Sequence, residues 1–157
     1  MGPAYEREMI VMSTDQHVNA YARKRYDVPP ERVFDAWLDP KLIGQWMFGP
    51  RLRDEEVLRI SVDARVGGAF SFLVRRDGEE LDHVGNYLEI TRPQRLIFTW
   101  GIGEPDGKSR VVVEFLRTPD GGCETTLTHE MDPEWTEYIE RTEEAWTKMM
   151  NALAELL

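Results

Sequence analysis

The sequence predicts one α+β domain in which a curved antiparallel sheet of about seven strands grips a long C-terminal helix, with two short helices after the first strand. Asp-Gly pairs and other turn signals separate a series of short segments rich in β-branched and aromatic residues, a pattern typical of β-hairpins. No helical pattern lies between these segments, so parallel crossover connections are not expected. Residues 134–157 contain neither glycine nor proline, which favours one long helix at the end of the chain.

Length and charge limit the classes of protein that fit this sequence. With 157 residues, of which 41% are hydrophobic, the chain has the size of one globular domain. We expect an N-terminal tail at 1–17 and the domain at 18–157, with the natural start at Met1, Met9 or Met12. A net charge of -10 opposes binding to nucleic acids and to anionic membranes, and no apolar run is long enough to span a bilayer. We therefore expect a cytoplasmic protein with neither of these partners.

Acidic residues cluster in two stretches of the chain. Asp54, Glu55 and Glu56 are consecutive, and further carboxylates are frequent between residues 130 and 144. Charge runs of this kind usually form solvated faces. We expect these side chains to be exposed rather than catalytic.

The first part of the domain is predicted to contain a strand and two short helices. Residues 18–28 have the β-branched and aromatic content of a strand, which Pro29-Pro30 would end. The following segment PPERVFDAWLDP has apolar residues at helical spacing, and Asp39-Pro40 repeats the signal for a helix start. Gly49-Pro50 would end the second helix. Both helices therefore lie between the first and second strands.

Alternation along the later strands indicates which side chains face the interior. The inward set is predicted to comprise Phe70, Phe72, Val74, Leu96, Phe98, Trp100, Val111, Val113 and Phe115. In the last strand, the inward position of Leu127 places Thr125 and His129 on the same side. His129 is thus a polar side chain directed at an apolar interior.

The closing helix is predicted to begin at Pro133, with Asp132 as its N-cap, and to continue to Leu157. A helix of this length spans about 35 Å at about 1.5 Å per residue. Its apolar stripe would consist of Trp135, Ile139, Trp146, Met149, Met150, Leu153, Leu156 and Leu157. Such a stripe favours a helix that lies on the concave face of the sheet.

Motifs for metal binding or nucleophilic catalysis are absent from the sequence. His17, His83 and His129 are far apart, without an HxH, HExxH or paired-cysteine pattern, so we expect no metal and no other cofactor. The single cysteine, Cys123, cannot form an internal disulfide and is expected to be a small buried strand residue. No GxSxG motif is present, and Ser71 belongs to the outward face of its strand. We assign no catalytic residue.

Two histidines leave alternatives open. His129 is either a core histidine with one hydrogen bond or a residue that contacts a ligand or acts as a general base. The inward parity of Leu88 and Ile90 predicts that His83 points outward, unless a bulge near Gly85 reverses the alternation.

The aromatic and methionine content of the chain is high enough to line a cavity. A packed core explains most of these residues, yet a long helix on a curved sheet can leave space toward one end. The candidate ligand-binding residues are Trp37, Trp46, Phe48, Phe70, Phe72, Asn86, Trp100, His129, Trp146, Met149 and Met150.

Five segments match a known superfamily in order and spacing: VPPERVFDAWLDPKLIGQWMFGP, RVGGAFSF, GNYLEITRPQRLIFTW, TTLTHEM and EEAWTKMMNALAELL. On these segments, the chain resembles the START-like helix-grip (SRPBCC) superfamily, which includes polyketide cyclase and CalC-like proteins. More narrowly, it resembles the bacterial homologues of the C-terminal domain of the activator of the heat-shock protein 90 ATPase. The resemblance covers essentially all of residues 18–157.

The resemblance implies a cavity that binds lipids, polyketides or other apolar molecules in relatives. By position, it implies that Trp46 and Phe48 lie at the cavity mouth and that Trp146 is the tryptophan of the C-terminal helix. Met47 stands where many relatives have a second tryptophan, so the mouth is expected to differ in shape.

Three functions remain open from the sequence. The leading hypothesis is non-enzymatic binding of a small hydrophobic or aromatic molecule between sheet and C-terminal helix, with His129 fixing its orientation. The alternatives are a cyclase or hydratase that acts on a polyketide-like substrate with His129 as base, and a stress-response module that contacts a chaperone or forms a homodimer.

Overall fold

The computed structural model describes residues 17–104, 107 and 109–157; the predicted tail, apart from His17, lies outside them. The described residues form, in chain order, β1 (Val18–Tyr26), α1 (Pro30–Ala36), α2 (Pro40–Trp46), β2 (Glu56–Val62), β3 (Ala69–Arg76), β4 (Glu79–Thr91), β5 (Arg95–Thr99), β6 (Gly101–Ile102), β7 (Arg110–Arg117), β8 (Cys123–Met131), a 3-10 helix (Pro133–Tyr138) and α3 (Ile139–Ala154).

The strands form one antiparallel sheet in the order β1-β8-β7-β5-β4-β3-β2, and the short β6 pairs with β4. Each neighbouring pair is antiparallel, from β1 with β8 at one edge to β2 with β3 at the other. The two short helices lie between β1 and β2, and α3 follows the last strand. The predicted α+β helix-grip architecture is confirmed.

Alternation in β8 defines the inner face of the sheet. Cys123, Thr125, Leu127, His129 and Met131 are buried, while the residues between them are only half-buried. Period-two burial of this kind arises because successive strand side chains point to opposite faces. The inward set predicted on β3, β5 and β7 is also buried, and Trp100, which directly follows β5, is half-buried.

The two short helices begin as their sequences predict. Pro30 is the first residue of α1, and the Asp39 side chain accepts a hydrogen bond from the Lys41 N–H at the start of α2. Most of their apolar residues are buried, and Phe34 and Trp46 are fully so. Both helices therefore cover part of the inner face of the sheet beside α3.

The end of the chain differs from the predicted single helix. Asp132 caps the segment as expected, accepting from the Glu134 N–H at 3.0 Å, but Pro133–Tyr138 forms a 3-10 helix and the α-helix begins at Ile139. A 3-10 helix has about 3.0 residues per turn rather than 3.6. Residues spaced to lie on the apolar face of an α-helix therefore do not share one face in this segment. Trp135 is accordingly 45% exposed.

A bulge in β4 turns His83 toward the interior. The pairing of β4 with β5 shifts register between Tyr87 and Glu89, so His83, Gly85 and Tyr87 are buried whereas Leu88 is 46% exposed. An extra residue reverses the alternation of side chains on its two sides. The outward position of His83 expected from unbroken parity is therefore wrong, and the bulge considered as its exception is present.

None of the helices in the described part of the chain is long and apolar enough to cross a membrane.

Candidate ligand pocket

Beneath α3, where the sequence predicted a cavity, the described side chains pack closely. Among Trp37, Met47, Phe70, Phe72, Tyr87 and Phe98 a volume of only about 10 Å³ remains. That is about the space of one water molecule. The Trp37 ring contacts Trp46 with centroids 4.7 Å apart and stacks on Trp146 at 5.9 Å. The interior is a packed aromatic core.

Trp46 and Phe48, expected at a cavity mouth, are fully buried in this core. The Trp46 indole N–H donates to the Ala36 carbonyl at 3.1 Å, and the Phe48 ring lies 4.7 Å from the His83 ring and 5.7 Å from Phe72. These contacts direct both rings into the core.

Glu55 corrects the expectation that residues 54–56 are all solvated. Its side chain is fully buried and accepts hydrogen bonds from the Gly49 N–H at 2.7 Å, Arg53 at 2.9 Å and Arg76 at 2.7 Å. Burial would raise the pKa of Glu55, but the Gly49 N–H and the two guanidinium groups outweigh it and lower that pKa below its ordinary value. The carboxylate holds the loop between α2 and β2.

An open pocket of about 420 Å³ lies at one end of the sheet, where β6, β7, β8 and the 3-10 helix meet. We call it the end pocket. Its lining residues are Trp100, Gly101, Ile102, Glu104, Ser109, His129, Met131, Asp132 and Trp135. Its volume falls within the range of about 300–1,000 Å³ that is typical of small-molecule sites.

The walls of the end pocket are mainly apolar, with polar groups at defined places. Trp100, Ile102, Met131 and Trp135 supply the apolar surface, and the Trp100 ring is fixed from behind by Trp146, with centroids 5.4 Å apart. Ser109 and His129 form a polar wall, and Glu104 and Asp132 add carboxylates. Broad apolar walls with a few placed polar groups are typical of ligand sites.

His129 is held by two hydrogen bonds that define its tautomer. The Trp146 indole N–H donates to His129 Nδ1 at 3.1 Å, and His129 Nε2 lies 2.7 Å from Ser109 Oγ. Because an indole nitrogen only donates, Nδ1 must be the acceptor and the proton must lie on Nε2, which then donates to Ser109. Burial lowers the pKa of His129 to about 4, in keeping with a neutral ring.

This arrangement limits what His129 can do chemically. Both ring nitrogens are engaged, so neither is free to take a proton from a ligand. His129 donates to Ser109 rather than accepting from it, so Ser109 is not activated as a nucleophile. The two interpretations left open by the sequence combine: His129 is a hydrogen-bonded core histidine that also lines the end pocket.

His83 belongs to the core behind this pocket. Its Nδ1–H donates to the Phe72 carbonyl at 3.1 Å, and its ring lies 4.7 Å from Phe48 and 5.5 Å from Trp100. Burial lowers the pKa of His83 below its ordinary value. His83 thus supports Trp100 rather than lining the end pocket.

The other predicted ligand-binding residues are distributed between the core and the opposite face. Of the candidates, Trp100 and His129 line the end pocket. Trp146 does not line it, but its indole N–H donates a hydrogen bond to His129. The buried core contains Trp37, Trp46, Phe48, Phe70, Phe72, Met149 and Met150. Asn86 alternates with the inward Gly85 and Tyr87, and its backbone N–H donates to Thr99. Their contact with a ligand stays a prediction.

Sequence reasoning missed most of the pocket residues. Met131 continues the inward parity of Leu127 and His129, and that signal could have identified it. Ser109 directly precedes β7 and Trp135 lies in a 3-10 helix, so neither has a periodic pattern that indicates its direction.

Among the described residues, no group of three or more His, Cys, Asp or Glu side chains could hold a metal ion. Cys123 is fully buried, as expected.

A family model for Activator of Hsp90 ATPase homolog 1-like proteins matches residues 27–157, whereas no curated protein matches the chain. Similar solved structures include a protein from Chromobacterium violaceum, with 25% identity and a TM-score of 0.74 over 88% of this chain and 96% of that one. A protein from Rhizobium loti has 25% identity and a TM-score of 0.71 over 90% of this chain and 97% of that one. An AHSA1-like protein from Aeromonas hydrophila has the same fold, with 22% identity and a TM-score of 0.72 over 88% of this chain and 90% of that one. The chain therefore belongs to the Activator of Hsp90 ATPase homolog 1-like family, with its START-like helix-grip fold.

Proposed function

We propose that this protein binds a small, mainly apolar or aromatic molecule in the end pocket without chemically changing it. The family and its fold support a ligand-binding module. The observation that carries the proposal is the contrast between a filled interior, with about 10 Å³ left, and an open pocket of about 420 Å³ at the end of the sheet.

The aromatic walls supply the binding energy in this proposal. Trp100 is a rigid surface because Phe70, Phe98 and Trp146 pack against its ring with centroids 6.0, 6.1 and 5.4 Å away. Trp135 is 45% exposed and lies 5.4 Å from the Tyr138 ring. A flat ligand that covers these rings removes apolar surface from water, which contributes about 25 cal/mol for each Å² buried.

Binding is better supported than the cyclase or hydratase alternative. That mechanism requires His129 to act as a base, yet both of its nitrogens are hydrogen-bonded and its pKa is lowered to about 4. A base with so low a pKa would accept a proton only weakly near neutral pH. We therefore assign His129 to the wall of the binding site.

Calorimetric titration with two uncharged naphthalenes, 2-acetylnaphthalene and 2-isopropenylnaphthalene, tests the proposal. We expect saturable binding at one site, weakened about tenfold by Trp135→Ala because the ligand loses an aromatic contact. The control is Leu116→Ala on β7, which removes an apolar side chain that is 68% exposed and outside the end pocket. If neither compound binds, or if both variants bind like the wild type, the proposal is wrong.

A further inference from the structure

We infer that Ser109 determines the specificity of the end pocket, as a hydrogen-bond donor to an uncharged ligand that carries a carbonyl-type acceptor oxygen. This inference rests on the proposed function, since it names the class of ligand for the same pocket. It follows from the direction of one chain of hydrogen bonds and from the charges of the pocket lining.

The chain of hydrogen bonds begins in the core at Trp146. This indole is buried, and its N–H donates to His129 Nδ1 at 3.1 Å. An indole nitrogen has no lone pair available to accept a hydrogen bond. The direction of this bond therefore cannot be reversed, and His129 must keep its proton on Nε2.

The proton on Nε2 also determines the direction of the next hydrogen bond, between His129 and Ser109 at the pocket surface. His129 Nε2–H donates to Ser109 Oγ at 2.7 Å, so the serine oxygen is an acceptor in this bond. A serine hydroxyl still has its own hydrogen to donate. Among the described residues, His129 is the only hydrogen-bond partner of the Ser109 hydroxyl, and Ser109 lines the end pocket. Its hydrogen is therefore available to a bound ligand.

The charges of the pocket select among ligands that could accept this hydrogen bond. The described lining residues include the carboxylate of Glu104, and the whole chain has a net charge of -10. A carboxylate ligand would accept well from Ser109 but would be repelled by this field. An uncharged ketone, aldehyde, ester or amide satisfies the donor without that cost.

The two naphthalenes differ in the group that this inference concerns. The oxygen of 2-acetylnaphthalene is replaced by a CH₂ group of similar shape in 2-isopropenylnaphthalene, and 2-naphthoate supplies the anion. We expect the wild type to bind the ketone about three- to tenfold more tightly than the alkene, and to bind the naphthoate more weakly than the ketone. Ser109→Ala should abolish the preference for the ketone while alkene binding is retained.

Ser61→Ala is the matched control, because Ser61 is exposed on β2 and does not line the end pocket. It should keep the preference for the ketone. If the wild type binds both naphthalenes equally, or if Ser109→Ala keeps the preference, the inference fails while the proposed function stands. If neither naphthalene binds, the proposed function fails and the inference with it.

A second measurement needs no ligand. Long-range ¹H–¹⁵N correlation spectra at pH 7 should show His129 as the neutral Nε2–H tautomer, with its signals assigned by comparison with His129→Gln. A proton on Nδ1 would reverse the chain and leave Ser109 as the donor to His129. That result would overturn the inference whatever the naphthalenes do.

Discussion

The fold keeps His129 in its neutral state near neutral pH. A protonated ring carries hydrogen on both nitrogens, so its Nδ1–H would face the Trp146 N–H that now donates to this atom. Burial adds to this cost and lowers the pKa of His129 to about 4. The unfolded chain has no such restriction, so the two states take up protons at different pH.

The stability of the protein should therefore fall as the pH decreases below about 6.5. Between pH 6.5 and 4 the unfolded chain binds a proton at His129 and the folded chain does not, which favours unfolding. From pH 7 to pH 5 we expect this group to lower the free energy of unfolding by about 2 kcal/mol. Urea unfolding at both pH values measures the change.

The variant His129→Gln isolates this effect, since glutamine does not titrate and can still accept from Trp146. Between pH 7 and pH 5 its free energy of unfolding should decrease by about 2 kcal/mol less than that of the wild type. The remaining loss includes His83, whose pKa burial also lowers. Equal losses in the two proteins would show that His129 is not held neutral by the fold.

The strands and their inward faces were predictable because they depend on neighbouring residues in the sequence. Turn residues mark the ends of the strands, and apolar and polar side chains alternate where one face of a strand is buried. The β4 bulge was open to sequence reasoning only as an alternative, since it depends on how β4 pairs with β5. The 3-10 segment was missed because Asp132-Pro133 starts either kind of helix and the apolar stripe of α3 obscures the change of period.

Gly85 is the residue that permits close packing within the inner face at β4. A Cβ atom there would lie 2.0 Å from the Thr99 carbonyl oxygen and 2.6 Å from Cζ of Phe70. We expect Gly85→Ala to lower the free energy of unfolding by about 3 kcal/mol, because the backbone contact cannot yield. Urea unfolding of the purified variant measures this loss.

Gly44→Ala provides the matched control for that substitution. Gly44 lies in α2, and its added Cβ would be 3.5 Å from a side-chain carbon of Ile60, an ordinary packing distance. Alanine is favoured over glycine in a helix by about 1 kcal/mol, so this variant should be as stable as the wild type or more so. Similar losses in both variants would contradict the close approach at Gly85.

At the scale of the whole molecule, the fold was predictable but the position of the pocket was not. The fold follows from the order and polarity of the strands and helices, and the family resemblance supplied its name. The volume beneath α3 depends instead on how individual rings pack, and here Trp37, Trp46 and Trp146 fill it. The end pocket forms where several elements end, and Ser109 and Trp135 reach it from segments without a periodic pattern.

In the proposed function, ligands bind in the end pocket and not beneath α3. The five tryptophans of the chain can distinguish these two places. Indole N–H signals should be followed in ¹H–¹⁵N spectra during titration with 2-acetylnaphthalene. We predict large shifts for Trp100 and Trp135, which line the end pocket, and little change for Trp37 and Trp46 in the core. The largest shifts at Trp37 and Trp46, or no saturable shift at Trp100 and Trp135, would show that the ligand does not bind in the end pocket.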